Sequence, residues 1–264
     1  MVIPVGDVNP THRRAVLTFL LVAANVGVFF LLQPVEDGCA QLRFLYKWAA
    51  VPPELLSLHQ LDPATLGGEA GRCLSGLDKN VPLSALTAMF LHADVLHLGG
   101  NMLFLWVFGN NVEDRLGRVQ FLVFYAVGGL VATYAFAIVN AGDPSPLLGA
   151  SGAVAAVLGA YLVMFPKARI RTYAPFPIDL LAWVMGFRVV MWLLFFAIVE
   201  LPAWLVLGFW FLIQLRATSS PVAQQIAFSA HVAGFVAGIV LTFLMNGTRA
   251  HPRQATHAWD ASSY

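Results

Sequence analysis

The chain has 264 residues, 59% of them hydrophobic and only 11% charged, with a mean hydropathy of +0.74, whereas soluble domains are roughly 45–50% apolar. Lys+Arg 15 against Asp+Glu 14 leaves a net charge of +1, so no basic field argues for nucleic acid and no block of like charge argues for a disordered tail. These figures exclude an ordinary soluble domain and point to an all-α polytopic membrane protein in a lipid bilayer.

The first apolar run, residues 15–32, follows Arg13-Arg14. It is too long for the apolar region of a signal peptide and lacks a small-x-small cleavage site, so it reads as a retained first span with residues 1–14 on the cytoplasmic side. Residues 33–82 mix charges, Pro52-Pro53, Gly67-Gly68 and the cluster Phe44-Leu45-Tyr46-Lys47-Trp48, a composition suited to a lobe folded on the outer membrane surface. Cys39 and Cys73 both fall in this lobe without metal-ligand spacing. On an extracytoplasmic loop they either pair as a disulfide or are dispensable.

Spans two, three and four are expected at 83–108, 119–139 and 147–165, each long enough for ~30 Å of hydrocarbon. Residues 176–215 hold apolar sequence for two spans, or for one span and an interfacial piece. Ser151 near the start of span four and His231 in a last span at 222–245 reach the same depth on the same side only if those two helices run in the same direction, with one crossing between them. Residues 176–186 are therefore assigned to the interface, 187–215 to a tilted span kinked at Pro202, and 246–264 to a cytoplasmic tail. The result is a six-span bundle with both termini inside. Nine basic residues then lie inside (Arg13, Arg14, Arg115, Arg118, Lys167, Arg169, Arg171, Arg249, Arg253) and five outside (Arg43, Lys47, Arg72, Lys79, Arg216), which agrees with the positive-inside rule.

Polar residues within spans are costly and need an account. Ser151, Ala155 and Gly159 share a helix face at i, i+4, i+8, and His231 stands over Gly234 and Gly238 at i+3 and i+7, so two strips of small side chains can bring a hydroxyl to an imidazole. In span two His97 and Asn101 share a face at i, i+4, and with the Ser151 N–H they form a set of donors for a developing oxyanion. His92 lies about 140° around that helix and is assigned a structural role. Glu113, Asp114 and Arg115 read as a charged turn stopped by Gly117. Each feature has a bland account: an intramembrane serine bonds its own helix, and glycine strips only pack. The combination of one Ser, one His and a His/Asn donor pair favours catalysis. A zinc site of His92, His97 and His231 lacks His-Glu-x-x-His spacing and a nearby acid, so neither metal nor cofactor is called for.

The motifs His92, His97 and Asn101, then Val112-Glu113-Asp114-Arg115-Leu116-Gly117, Gly149-Ala150-Ser151-Gly152 and Ala230-His231-Val232-Ala233-Gly234 resemble, in order and span placement, those of bacterial rhomboid intramembrane serine proteases. The resemblance implies Ser151 as nucleophile and His231 as general base. It also implies His97, Asn101 and the Ser151 N–H as oxyanion hole, a water-filled cavity open to the extracytoplasmic side, no third catalytic acid, and a location in the inner (plasma) membrane. The implied partner is a transmembrane protein substrate. Two positions depart from the pattern: Ala155 stands where many relatives carry a tyrosine under the imidazole, and Leu83-Ser84 where a Trp-Arg pair often braces the first loop. The rival readings are an inactive relative that binds membrane helices, and a solute transporter. The presence of both Ser151 and His231 disfavours the first, and the absence of internal symmetry or paired broken spans disfavours the second.

Overall fold

The computed structural model describes residues 3–34, 38–175, 196–218 and 227–245. Helix α1 (Val16–Gly27) continues through one π-helical segment, Val28–Leu32. The lobe that follows carries α2 (Cys39–Trp48), α3 (Pro52–Ser57), α4 (Gly68–Leu74) and α5 (Val81–Thr87). Proline in the first turn starts α3 and α5, where its missing N–H costs nothing, and the Asn80 side chain caps α5 by accepting from the Leu83 N–H. Cys39 and Cys73 are joined across a Cα–Cα distance of 5.1 Å, tying α2 to α4. Beneath them the buried Lys79 ammonium meets the Glu54 carboxylate and donates to the Ala49 carbonyl. The lobe is thus a packed unit with its own charged core.

Helix α6 (Val95–Leu116) corrects the expected span at 83–108. Residues 81–90 belong to the lobe, and the chain turns through 82° before α6 begins. The turn has a local cause: Asp94 is extended and its carboxylate accepts from the His97 N–H at 2.8 Å, an N-cap that starts a new helix there. The far end moves too. Glu113, Asp114 and Arg115 lie in the last helical turn instead of a loop, and Gly117, at φ 80°, ends the helix by donating to the Glu113 carbonyl.

Helix α7 (Arg118–Val139) matches its expected span within a residue. Helix α8 (Ser151–Met164) does not: residues 147–150 are non-helical, and Leu147 forms a two-bond bridge with Ala50 of the lobe. Among the described residues α7 alone is long and apolar enough to cross a membrane by itself, and the other apolar helices have 10–17 residues.

At the end of the bundle opposite the lobe, β1 (Ile3–Asp7), β2 (Arg169–Pro175) and β3 (Phe196–Pro202) form an antiparallel sheet in that order. It overturns part of the expected span at 187–215. Residues 196–202 are a strand, and Pro202 precedes α9 (Ala203–Ala217) instead of kinking it. β-branched Ile198 and Val199 suit the pleat, and a proline lacking an N–H belongs at a helix start. Residues 176–195 lie outside the described set, as do 219–226 and the tail from 246, so the interfacial segment and the start of the last span are not described. Helix α10 (Phe228–Leu244) completes the bundle.

Glu113 fastens α1 to α6. Its two carboxylate oxygens accept from the backbone N–H groups of Leu17 and Thr18 at 2.9 and 2.7 Å and from the Thr18 hydroxyl at 2.8 Å. Asp114 accepts from the N–H groups of His12 and Arg13. Glu113 thus satisfies orphan donors of a helix start that has no side-chain cap of its own, and Asp114 holds the chain that leads into it. Glu113→Ala is expected to lower stability by roughly 2–3 kcal/mol, because buried donors to a charged acceptor lose their partner; thermal unfolding in detergent reads the loss.

Candidate active site

Ser151 is the first residue of α8, and its approach is held by the lobe. Gly149 N–H donates to the Ala88 carbonyl at 2.9 Å, and the Leu147–Ala50 bridge lies two residues earlier. Gly149 itself sits at φ 123°, and a Cβ there would lie 2.9 Å from both Cε1 and Nε2 of His97 and 3.7 Å from Ser151 Oγ. Both functional atoms therefore approach one point that only glycine leaves open.

His231 lies in the first turn of α10. It comes to the same cavity as Ser151 because α8 and α10 pack backbone to backbone. A Cβ on Gly234 would overlap the Gly152 carbonyl, one on Gly238 the Ala156 carbonyl, and one on Gly159 the Phe235 carbonyl. Positions in the two helices rise together along this seam, so α8 and α10 are parallel, as the parity reasoning required. The seam uses Gly152 and Ala156 as much as the Ser151–Ala155–Gly159 face, since the closest approach lies between them.

Ser151, His231, His97 and Asn101 line one cavity of about 590 Å³. Its walls are largely apolar, with Phe104, Phe136, Leu148, Val154, Leu158 and Trp210, while Asp143 and Ser145 add polar groups. His92 is fully buried beside this site: its ring packs edge-on to His97 with centroids 5.1 Å apart, and Gln33 clamps its backbone through two hydrogen bonds. It is absent from the cavity lining.

Hydrogen bonds distinguish the two cavity histidines. The Ala93 N–H points at His97 Nδ1 at 3.4 Å, which leaves Nε2, the atom near Gly149, turned toward the cavity. His231 Nδ1 lies 2.8 Å from Gln214 Oε1, a carbonyl oxygen that accepts from Nδ1 in the tautomer that carries its proton there. The Asn101 side chain is buried, and among the described residues its Nδ2 finds no acceptor. Gln214 was missed in the sequence, although one amide inside the apolar run of α9 is a signal that a partner is needed.

The described residues form a mostly helical bundle in which Ser151, His231, His97 and Asn101 share one apolar-walled cavity. The chain belongs to the rhomboid family: the Rhomboid domain model matches residues 80–247. It is 35% identical over 114 residues to Rhomboid protein 1, mitochondrial, of Saccharomyces cerevisiae, covering 42% of this chain and 33% of that one. Over 90 residues it is 36% identical to Presenilin-associated rhomboid-like protein A, mitochondrial, of Danio rerio, covering 33% and 24%. Rhomboid protease GluP of Bacillus subtilis is 30% identical over 151 residues, covering 57% and 25%. The alignments thus span a third or less of the length of these relatives.

Proposed function

We propose that the protein is an intramembrane serine protease that hydrolyses a peptide bond in or near a transmembrane segment of another membrane protein. The observation that carries the reading is that Ser151, His231, His97 and Asn101 line one cavity. Ser151 Oγ attacks the scissile carbonyl while its proton passes to His231 Nε2. The carbonyl oxygen, now negative, receives hydrogen bonds from His97 Nε2–H, Asn101 Nδ2–H and the Ser151 N–H. The tetrahedral adduct collapses, the carbon–nitrogen bond breaks, and the imidazolium hands its proton to the departing amine. Water then attacks the acyl-enzyme through the same base, releasing the second product and the free serine.

Depth supports an intramembrane substrate. Helix α8 has 14 residues, about 21 Å at 1.5 Å per residue against ~30 Å of hydrocarbon. If its sheet-side end lies at one membrane face, Ser151 sits well below the other, and the cavity gives the reaction its water. A substrate helix must unwind locally to offer its carbonyl, so small or helix-breaking residues near the cut are expected. The orientation proposed is sheet side inside and lobe outside, in the plasma membrane, with six spans; Arg13, Arg14, Arg115, Arg118, Lys167, Arg169 and Arg171 then lie toward the inner face. Reporter fusions after Leu32, Gly117, Asn140 and Arg171 should alternate out, in, out, in, and a cytoplasmic signal at Asn140 overturns the orientation.

The reading is tested with a fluorophosphonate probe on purified protein: Ser151 becomes labelled, and Ser151→Ala removes the label. An unlabelled wild-type protein that binds membrane helices would indicate an inactive relative instead. Asn101→Ala and His97→Ala remove single donors, and each should slow cleavage roughly 10²–10³-fold, about 2.7–4 kcal/mol, without abolishing it. Single-turnover cleavage of a reconstituted substrate measures this, and wild-type rates in both variants would remove α6 from the oxyanion hole.

A further inference from the structure

We propose that Gln214 is a positioning residue that selects the tautomer in which His231 acts as base, a role deeper in the same site and resting on the dyad reading above. Ala155 leaves α8 without an aromatic ring beneath the imidazole, and α10 offers Phe228, whose ring packs edge-on to it at 6.3 Å between centroids but supplies no hydrogen-bond partner. Helix α9 supplies the hold instead. Trp210 and Gln214 are one turn apart on it and both face His231, the indole centroid lying 6.1 Å from the imidazole centroid with 36° between the planes, and Gln214 Oε1 lying 2.8 Å from Nδ1.

The carbonyl end of the amide accepts only from a protonated Nδ1. In the other tautomer the proton sits on Nε2, two lone pairs face each other at Nδ1, and no lone pair remains on the side where Ser151 must give up its proton. One neutral amide thus performs the orienting part of what a carboxylate performs in a three-residue arrangement, without bringing a second charge into the bundle. The rest of α9 near this point is apolar (Phe211, Leu212, Ile213, Leu215), so the amide has a definite partner.

Full-length protein in detergent carrying Gln214→Leu, Gln214→Met or Gln214→Glu distinguishes positioning from packing. Wild-type labelling of Ser151 by a fluorophosphonate, absent in Ser151→Ala, first establishes the dyad; a wild type that does not label removes the dyad and this inference together. With the dyad established, the apolar variants should label Ser151 and turn over a model transmembrane substrate about 10- to 100-fold more slowly, the range for loss of an orienting hydrogen-bond partner, with KM little changed. Gln214→Glu can only accept, so it should restore most of the rate. Should Gln214→Leu not fold, the unbranched Met variant keeps the shape of the side chain and the comparison. Wild-type labelling rates in a folded apolar variant overturn the inference while leaving the dyad intact. So does a Glu variant as slow as the apolar ones at an unchanged thermal unfolding midpoint.

Discussion

Ser151→Ala is expected to leave no measurable hydrolysis of a reconstituted transmembrane substrate, and His231→Ala nearly none. Loss of the attacking oxygen removes the covalent route outright, and loss of the imidazole leaves the cavity without a group that can take the Ser151 proton. In serine proteases whose nucleophile and base act as a unit, either removal costs on the order of 10⁶ in kcat. The deficit should be the same in the double variant as in either single one, because the two groups serve one step. Single-turnover cleavage over long incubation measures the residual rate. A His231→Ala protein that cleaves within tenfold of an Asn101→Ala protein would assign the base elsewhere, since a lost oxyanion donor costs only roughly 10²–10³.

Gly238→Val is expected to lower both rate and stability, although Gly238 is absent from the cavity lining. A Cβ at this position would overlap the Ala156 carbonyl, and because backbone cannot rotate aside, α10 must move away from α8 by about 1 Å or more to restore van der Waals contact. His231 rides on α10 and Ser151 on α8. A displacement of about 1 Å between reacting groups costs roughly 10² in rate, and overpacking adds about 1–3 kcal/mol of destabilisation. Gly208→Val is the control: that α9 glycine has open space where a Cβ would project, so the same substitution should leave rate and unfolding midpoint close to wild type. Equal cleavage by Gly238→Val and Gly208→Val would show that the seam does not set the distance between the two groups.

The candidate chemistry was largely legible in the chain because intramembrane polar residues are costly and few, and because helical spacing is a local property. Ser151, His231, His97 and Asn101 could be picked out by asking which polar groups stand over small residues or share a face at i, i+4. The parallel direction of α8 and α10 followed from depth alone. The span boundaries were less legible. A hydropathy run does not register that Asp94 caps a new helix, that Leu147 pairs with Ala50, or that Pro202 ends a strand, since each of these depends on a hydrogen-bond partner far away or on a turn within an apolar stretch. The sheet was missed for a related reason: alternation in Arg169-Ile170-Arg171-Thr172-Tyr173 marks a strand, but its paired residues in β1 and β3 lie 163–170 and 21–33 residues away in the chain.

By itself the sequence determined a membrane-embedded helical protein with a serine and a histidine on small-residue faces, because composition, period and side-chain bulk are carried by each residue and its near neighbours. Only the tertiary structure decided what faces the His231 ring. Whether a ring nitrogen donates or accepts depends on what lies opposite it, and the Gln214 carbonyl opposite His231 Nδ1 is contributed by another helix. The buried role of Glu113 was settled in the same way, by the start of α1 lying against the end of α6. Hydrogen-bond polarity is a property of pairs, and these pairs form only when the bundle closes.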